Sequence, residues 1–124
     1  MPTLKQSKAY SGFSTSDIDA AKVFYGDTLG LDVGEENGML DLSLATGAHV
    51  LIYPKPNHVP AEYTTLNFPV ADIAATVDEL VAAGIEFERY DGMEQDERGI
   101  AHNAGPLIAW FKDPAGNVLS VIQE

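Results

Sequence analysis

The sequence predicts an α+β fold made of two βαβββ units in tandem. Three observations carry it: two capped helical segments at matching places, short apolar runs after each, and a proline-rich break between them. The halves align residue by residue. Thr15-Ser16-Asp17-Ile18-Asp19-Ala20 matches Val70-Ala71-Asp72-Ile73-Ala74-Ala75, and Gly47-Ala48-His49-Val50-Leu51-Ile52 matches Gly116-Asn117-Val118-Leu119-Ser120-Val121. A repeated supersecondary unit implies that neither copy buries its apolar face alone.

In the first half, the alternation over Ala9 to Thr15 predicts a strand. Ser16 or Asp17 then caps a helix, with Asp19 placed as in a capping box. Ile18, Ala21, Tyr25 and Leu29 fall near helical spacing, and Gly30 stops the helix. Leu31 to Gly34, Met39 to Leu44 and His49 to Tyr53 follow as strands. Leu40, Leu42 and Leu44 alternate with Asp41 and Ser43, as a half-buried strand requires. The run Pro54-Lys55-Pro56-Asn57-His58-Val59-Pro60 cannot continue a ladder, because proline lacks the donor.

The second half repeats the plan. Tyr63 to Val70 reads as a strand, and Asp72 caps a helix carrying Ile73, Val77, Leu80 and Val81 up to Gly84. Ile85 to Tyr90, Ile108 to Lys112 and Val118 to Ile122 read as the next strands. The polar stretch from Asp91 to Pro106 is too long for an ordinary hairpin and is expected to be a lid or Ω-loop.

Composition narrows the functional classes. The 124 residues are 45% hydrophobic and 21% charged, as in a globular domain rather than a disordered chain. With no cysteine, disulfides, thiolate metal sites and cysteine nucleophiles are excluded. A net charge of −12, with seven scattered basic residues, opposes nucleic acid and anionic membranes and favours a neutral or cationic ligand. The stretch Met1 to Lys8 has no apolar signal region and no run is long enough to cross a bilayer, so a cytoplasmic location is expected. There is no nucleophile elbow, phosphate loop or dinucleotide fingerprint.

Three stretches carry a family resemblance. They are Ser16 to Tyr25 running into Leu29-Gly30-Leu31, Asn67 to Ile73 with its helix ending Ala82-Ala83-Gly84-Ile85, and Ala109-Trp110-Phe111-Lys112-Asp113-Pro114-Ala115-Gly116-Asn117. In this order and spacing they resemble the vicinal-oxygen-chelate superfamily of glyoxalases, bleomycin-resistance proteins and extradiol dioxygenases. The resemblance implies a curved mixed sheet around a cup, with the helices on its outer face. It implies a single glyoxalase/bleomycin-resistance-like domain over residues 1–124, with module one about 8–54, a linker at 55–61 and module two about 62–124. It also implies ligand binding at a homodimer groove. Asp113, Pro114, Gly116 and Asn117 have architectural duties in a tight turn.

Metal-using relatives place His, Gln or Glu at four cup-facing positions. By the resemblance these are Tyr10, Leu51, Thr65 and Ser120 here, none of them an imidazole or a carboxylate. No cofactor and no metal are therefore expected. Strand alternation puts Tyr10, Gly12, Ser14, His49, Leu51, Tyr53, Thr65, Asn67, Trp110 and Ser120 on the inner face. Ligand contacts are expected from Tyr10, Ser14, His49, Tyr53, Thr65, Asn67, Trp110 and Ser120, with Trp110 and the tyrosines stacking a planar or cyclic molecule. The leading expectation is a metal-independent small-molecule-binding protein of the bleomycin-resistance type. The alternative is a glyoxalase-like lyase, isomerase or dioxygenase, using an unrecognised metal or acid–base chemistry by His102, His49 or Tyr10.

Overall fold

The computed structural model describes residues 3–103 and 105–124. Its element order is β1 (Ser11–Thr15), α1 (Ile18–Lys22) running into a π-helical turn (Val23–Thr28), β2 (Asp32–Glu36), β3 (Met39–Ser43) and β4 (His49–Pro54). After the linker come β5 (Thr64–Val70), α2 (Ile73–Ala82), β6 (Ile108–Lys112) and β7 (Val118–Gln123). The fold is α+β, as expected, with two mixed sheets in the orders β1-β4-β3-β2 and β5-β7-β6. In each, the first strand pairs parallel with the last, which is the signature of the βαβββ unit.

Local chemistry explains the boundaries. Asp17 and Asp72 cap their helices, each carboxylate accepting from the amide three residues on at 3.1 Å. The Asn37-Gly38 pair has φ of 55° and 75°, the two-residue hairpin turn whose twist matches β2 and β3. Pro54 corrects one expectation, since it forms the last residue of β4 opposite Thr15. Its missing donor does no harm there, because Lys55 N–H bonds the Thr15 carbonyl at 3.0 Å.

Two further differences matter. The first helix does not run α-helically to Gly30; Leu29 N–H reaches back five residues to the Phe24 carbonyl at 2.9 Å. The wider turn lets adjacent Phe24 and Tyr25 both face inward, with ring centroids 5.1 Å apart and edge-on. Ile85 to Tyr90 is not a strand and meets β6 in a single bridge, Phe87 to Phe111. The Gln95 side chain takes the groups a ladder would use: it accepts from Tyr90 N–H at 2.8 Å and donates to the Glu88 carbonyl at 2.9 Å.

One core joins the two halves. Ala21, Tyr25, Leu40, Leu42, Val50 and Ile52 cluster with Ile73, Val77, Ala109, Phe111, Leu119 and Val121. Each such large aliphatic side chain contributes about 1.5–3 kcal/mol on burial. Leu40, Leu42, Val50 and Ile52 point toward α1, which lies on β3 and β4, while α2 lies on β7. The residues alternating with them therefore face away from the helices.

A buried polar knot locks the halves together. Tyr25, with no exposed surface, donates its hydroxyl to Asp113 at 2.7 Å. Asp113 also accepts from the Ala115 and Asn117 amides and from the Asn117 side chain, each at 2.9 Å. Asn117 donates in turn to the Ser14 carbonyl in β1 at 2.9 Å. Burial and the Asp113 charge push the Tyr25 phenol far above its ordinary pKa, so it stays a donor. Gly116 has φ of 87°, and a Cβ there would lie 3.1 Å from Pro60, so both conformation and space demand glycine.

Candidate functional site

The strand face turned away from the helices carries two groups of side chains. On the second sheet, Asn67, Ser120 and Trp110 share one cross-strand row, Asn67 opposite Ser120 and Ser120 opposite Trp110. Ser120 is fully buried and donates its hydroxyl to Asn67 Oδ1 at 2.5 Å. Trp110 is held on two sides. Its indole N–H donates to Thr64 Oγ1 at 3.1 Å, and the Tyr90 ring meets it edge-on at 5.6 Å between centroids. Burial first, and then the Glu88 charge, raise the Tyr90 phenol pKa, so it too is a neutral donor near pH 7.

Thr64 was not nominated by strand alternation; Thr65 was. The register of β5 against β7 shifts between Thr64 and Leu66, which inserts one residue and breaks the period of two. Thr64 thereby reaches the indole, while the Thr65 hydroxyl turns to the Val118 carbonyl at 3.0 Å. Tyr90 was equally invisible, since it stands in a segment read as a strand. Only its ring contact with Trp110 marks it.

On the first sheet, Tyr10, Glu36, Met39, Asp41, His49 and Leu51 line an open recess of about 410 Å³. His49 Nδ1 lies 3.1 Å from both carboxylate oxygens of Asp41. Tyr10 is 65% exposed, and Tyr53, opposite Ser14 in the register, is 38% exposed. No described hydrogen bond or ring contact links this group to the Trp110 row.

Ser14 lies between the halves. Its hydroxyl is 2.6 Å from His58 Nδ1, and His58 Nε2 is 3.0 Å from the Ala115 carbonyl. A carbonyl can only accept, so Nε2 donates to Ala115, and Nδ1 shares a hydrogen bond with the Ser14 hydroxyl. The linker histidine is thus a clasp between β1 and the β6–β7 turn.

Side-chain bonds brace the described part of the polar loop. Arg89 donates to the Asp96 and Glu97 carbonyls, both at 2.6 Å, and Ile100 and Ala101 are buried beneath it. His102 Nε2 lies 2.9 Å from Asp96 Oδ2, with its side chain about half exposed. Partial burial opposes the Asp96 charge. The His102 contact and the Ile100 and Arg98 amides outweigh it and hold the carboxyl below its usual range. Arg98 pairs with Asp78 of α2 and, mainly through that hydrogen bond, lowers the Asp78 pKa.

The donor set does not fit a chelated metal. Of the four family positions, Thr65 is bonded to a backbone carbonyl, Ser120 is turned to Asn67, Tyr10 stands out in solvent and Leu51 has no donor. Among the described residues, no three His, Asp or Glu side chains converge as ligands.

A βαβββ unit followed by a βαββ unit, with helices on one face and a polar-aromatic strand face on the other, defines a class of proteins. The sequence profile of the Glyoxalase/Bleomycin resistance protein/Dioxygenase superfamily matches residues 9–121, and the chain belongs to that superfamily. Solved structures agree on the fold. A protein from Bacillus anthracis assigned to the glyoxalase family superposes with a TM-score of 0.75 at 20% identity, covering 96% of this chain and 95% of that one. The glyoxalase family protein of Enterococcus faecalis gives 0.69 at 25% identity, covering 95% and 97%. TnmS3, an antibiotic binding protein from Streptomyces sp. CB03234, gives 0.68 at 23% identity, covering 95% and 97%. The chain matches no curated protein. Among the described residues, no helix is long and apolar enough to cross a membrane.

Proposed function

We propose that this protein binds a small, neutral or cationic organic molecule without a metal, in the manner of the bleomycin-resistance branch of its superfamily. One observation carries the reading: an indole clamped by Thr64 and Tyr90 stands in line with an amide pinned by a buried serine. A rigid aromatic beside an oriented polar handle is the usual makeup of a ligand site. The charge of −12 supports a ligand that is not anionic, and the likeness to an antibiotic binding protein supports the class. The open face on the first sheet supports a homodimer, in which a second copy completes the cup. Residues 1–124 then act as one domain in the cytoplasm, with Tyr10, Ser14, His49, Tyr53, Thr65, Asn67 and Trp110 as the ligand-facing set and Ser120 behind Asn67.

The test is a native mass spectrum of protein purified from cells supplied with iron, manganese, nickel and zinc. A dimer carrying an organic adduct and no stoichiometric metal is expected. Near-stoichiometric metal that disappears on His49→Ala or His102→Ala would overturn the reading. A second reading, a lyase or isomerase using acid–base chemistry, draws on the His49–Asp41 pair beside Tyr10 in the recess. Turnover of an α-keto or thiohemiacetal substrate lost in His49→Ala would favour it.

A further inference from the structure

The Trp110 row says more about its ligand than its size. Ser120 has no exposed surface, and a hydroxyl so buried must donate to something. Its acceptor is Asn67 Oδ1 at 2.5 Å, which fixes which end of the amide points inward. The Asn67 Nδ2 group then faces the open side of the strand, where no described residue accepts from it. Of the neighbouring donors, the Trp110 N–H is engaged by Thr64 Oγ1 and the Thr65 hydroxyl by the Val118 carbonyl, whereas the Tyr90 and Thr64 hydroxyls have no described acceptor. Within the cross-strand row itself, the donor with no described acceptor is the Asn67 amide, its orientation set by Ser120.

We propose that Asn67 selects the ligand by its chemistry: a planar molecule with a neutral carbonyl acceptor at its edge, the ring against Trp110 and the oxygen on Asn67 Nδ2. The inference rests on the binding reading above and narrows it. A carboxylate or phosphate would also accept from the amide, but the −12 chain opposes an anion and favours an uncharged acceptor, of which a carbonyl is the strongest common one. Preorientation matters because the amide loses no rotor freedom on binding. Ser120 is thus a positioning residue and touches the ligand only through Asn67.

The test compares two probes of nearly equal shape, 9-fluorenone and fluorene, which differ by the carbonyl. Binding is followed by emission of Trp110, the single tryptophan, and by the Asn67 side-chain amide signals in a ¹⁵N–¹H spectrum. The ketone is expected to bind roughly three- to tenfold tighter, the range of one neutral hydrogen bond, and to shift the Asn67 signals. Asn67→Leu, at an exposed position, should abolish the preference for the ketone. Ser120→Ala should reduce the preference and broaden the Asn67 side-chain amide signals. Equal affinities for the two probes, or a ketone preference that survives in Asn67→Leu, overturn this inference and leave the binding reading standing. If neither probe moves the Trp110 emission, the aromatic site itself fails and takes the inference with it.

Discussion

β2 and the Ile85–Tyr90 segment hold equivalent places in the repeat, yet only β2 is a strand. β2 pairs along its whole length with β3 through the Asn37-Gly38 turn. In the second half, the Gln95 amide stands in for the missing backbone, and the chain runs on into a loop braced by Arg89 and Asp96. β2 satisfies its backbone groups with backbone, whereas the Tyr90 N–H and the Glu88 carbonyl turn to the Gln95 side chain. The exchange leaves Tyr90 free to lie against Trp110, which a regular hairpin would place elsewhere. The asymmetry between two copies of one unit is where the candidate site sits.

The largest test of this comparison asks whether the halves are one cooperative unit. Each buried donor left without a partner costs about 1–3 kcal/mol. Asp113→Ala orphans several, so a loss of about 3 kcal/mol or more is expected in urea unfolding, still as one transition. Tyr25→Phe should lose about 1–2 kcal/mol. Two transitions, or a small loss for Asp113→Ala, would mean that the halves are joined by apolar packing alone.

Gln95→Ala should act locally. Amide exchange at Tyr90 should quicken about tenfold, equivalent to about 1.4 kcal/mol for the bonds removed, with β2 amides unchanged. A uniform change across both halves would erase the distinction drawn here. Ser14→Ala removes one bond to the clasp and should cost about 1 kcal/mol, read from the urea midpoint.

Acid should reach the loop through Asp96. Its folded pKa lies below the unfolded value of about 3.9, so its contribution is complete above that pH and is lost as pH falls through the folded value. Faster exchange at Ile100 and Arg98 below about pH 4, absent in Asp96→Asn, is the expected outcome. Smallest of all, Lys22→Ala removes an exposed ion pair with Glu35, and no resolvable shift in the urea midpoint should follow.

The sequence by itself determined the repeated strand–helix plan, the Asp72 cap and the Asp113-to-Asn117 turn, and narrowed the first cap to Ser16 or Asp17, because each is set by neighbours within a few residues. Alternation also put Asn67, Ser120 and Trp110 on one face. Tertiary structure alone decided the rest. A bulge in β5 moved the hydroxyl that holds the indole from Thr65 to Thr64, since pairing register depends on the partner strand. Gln95 replaced a strand because its amide happens to meet a backbone five residues away in sequence but adjacent in space. Ser14 and His58, 44 residues apart, became a clasp only when the linker folded back. Periodicity reports which way a side chain faces; what it touches there is set by contacts that no local pattern encodes.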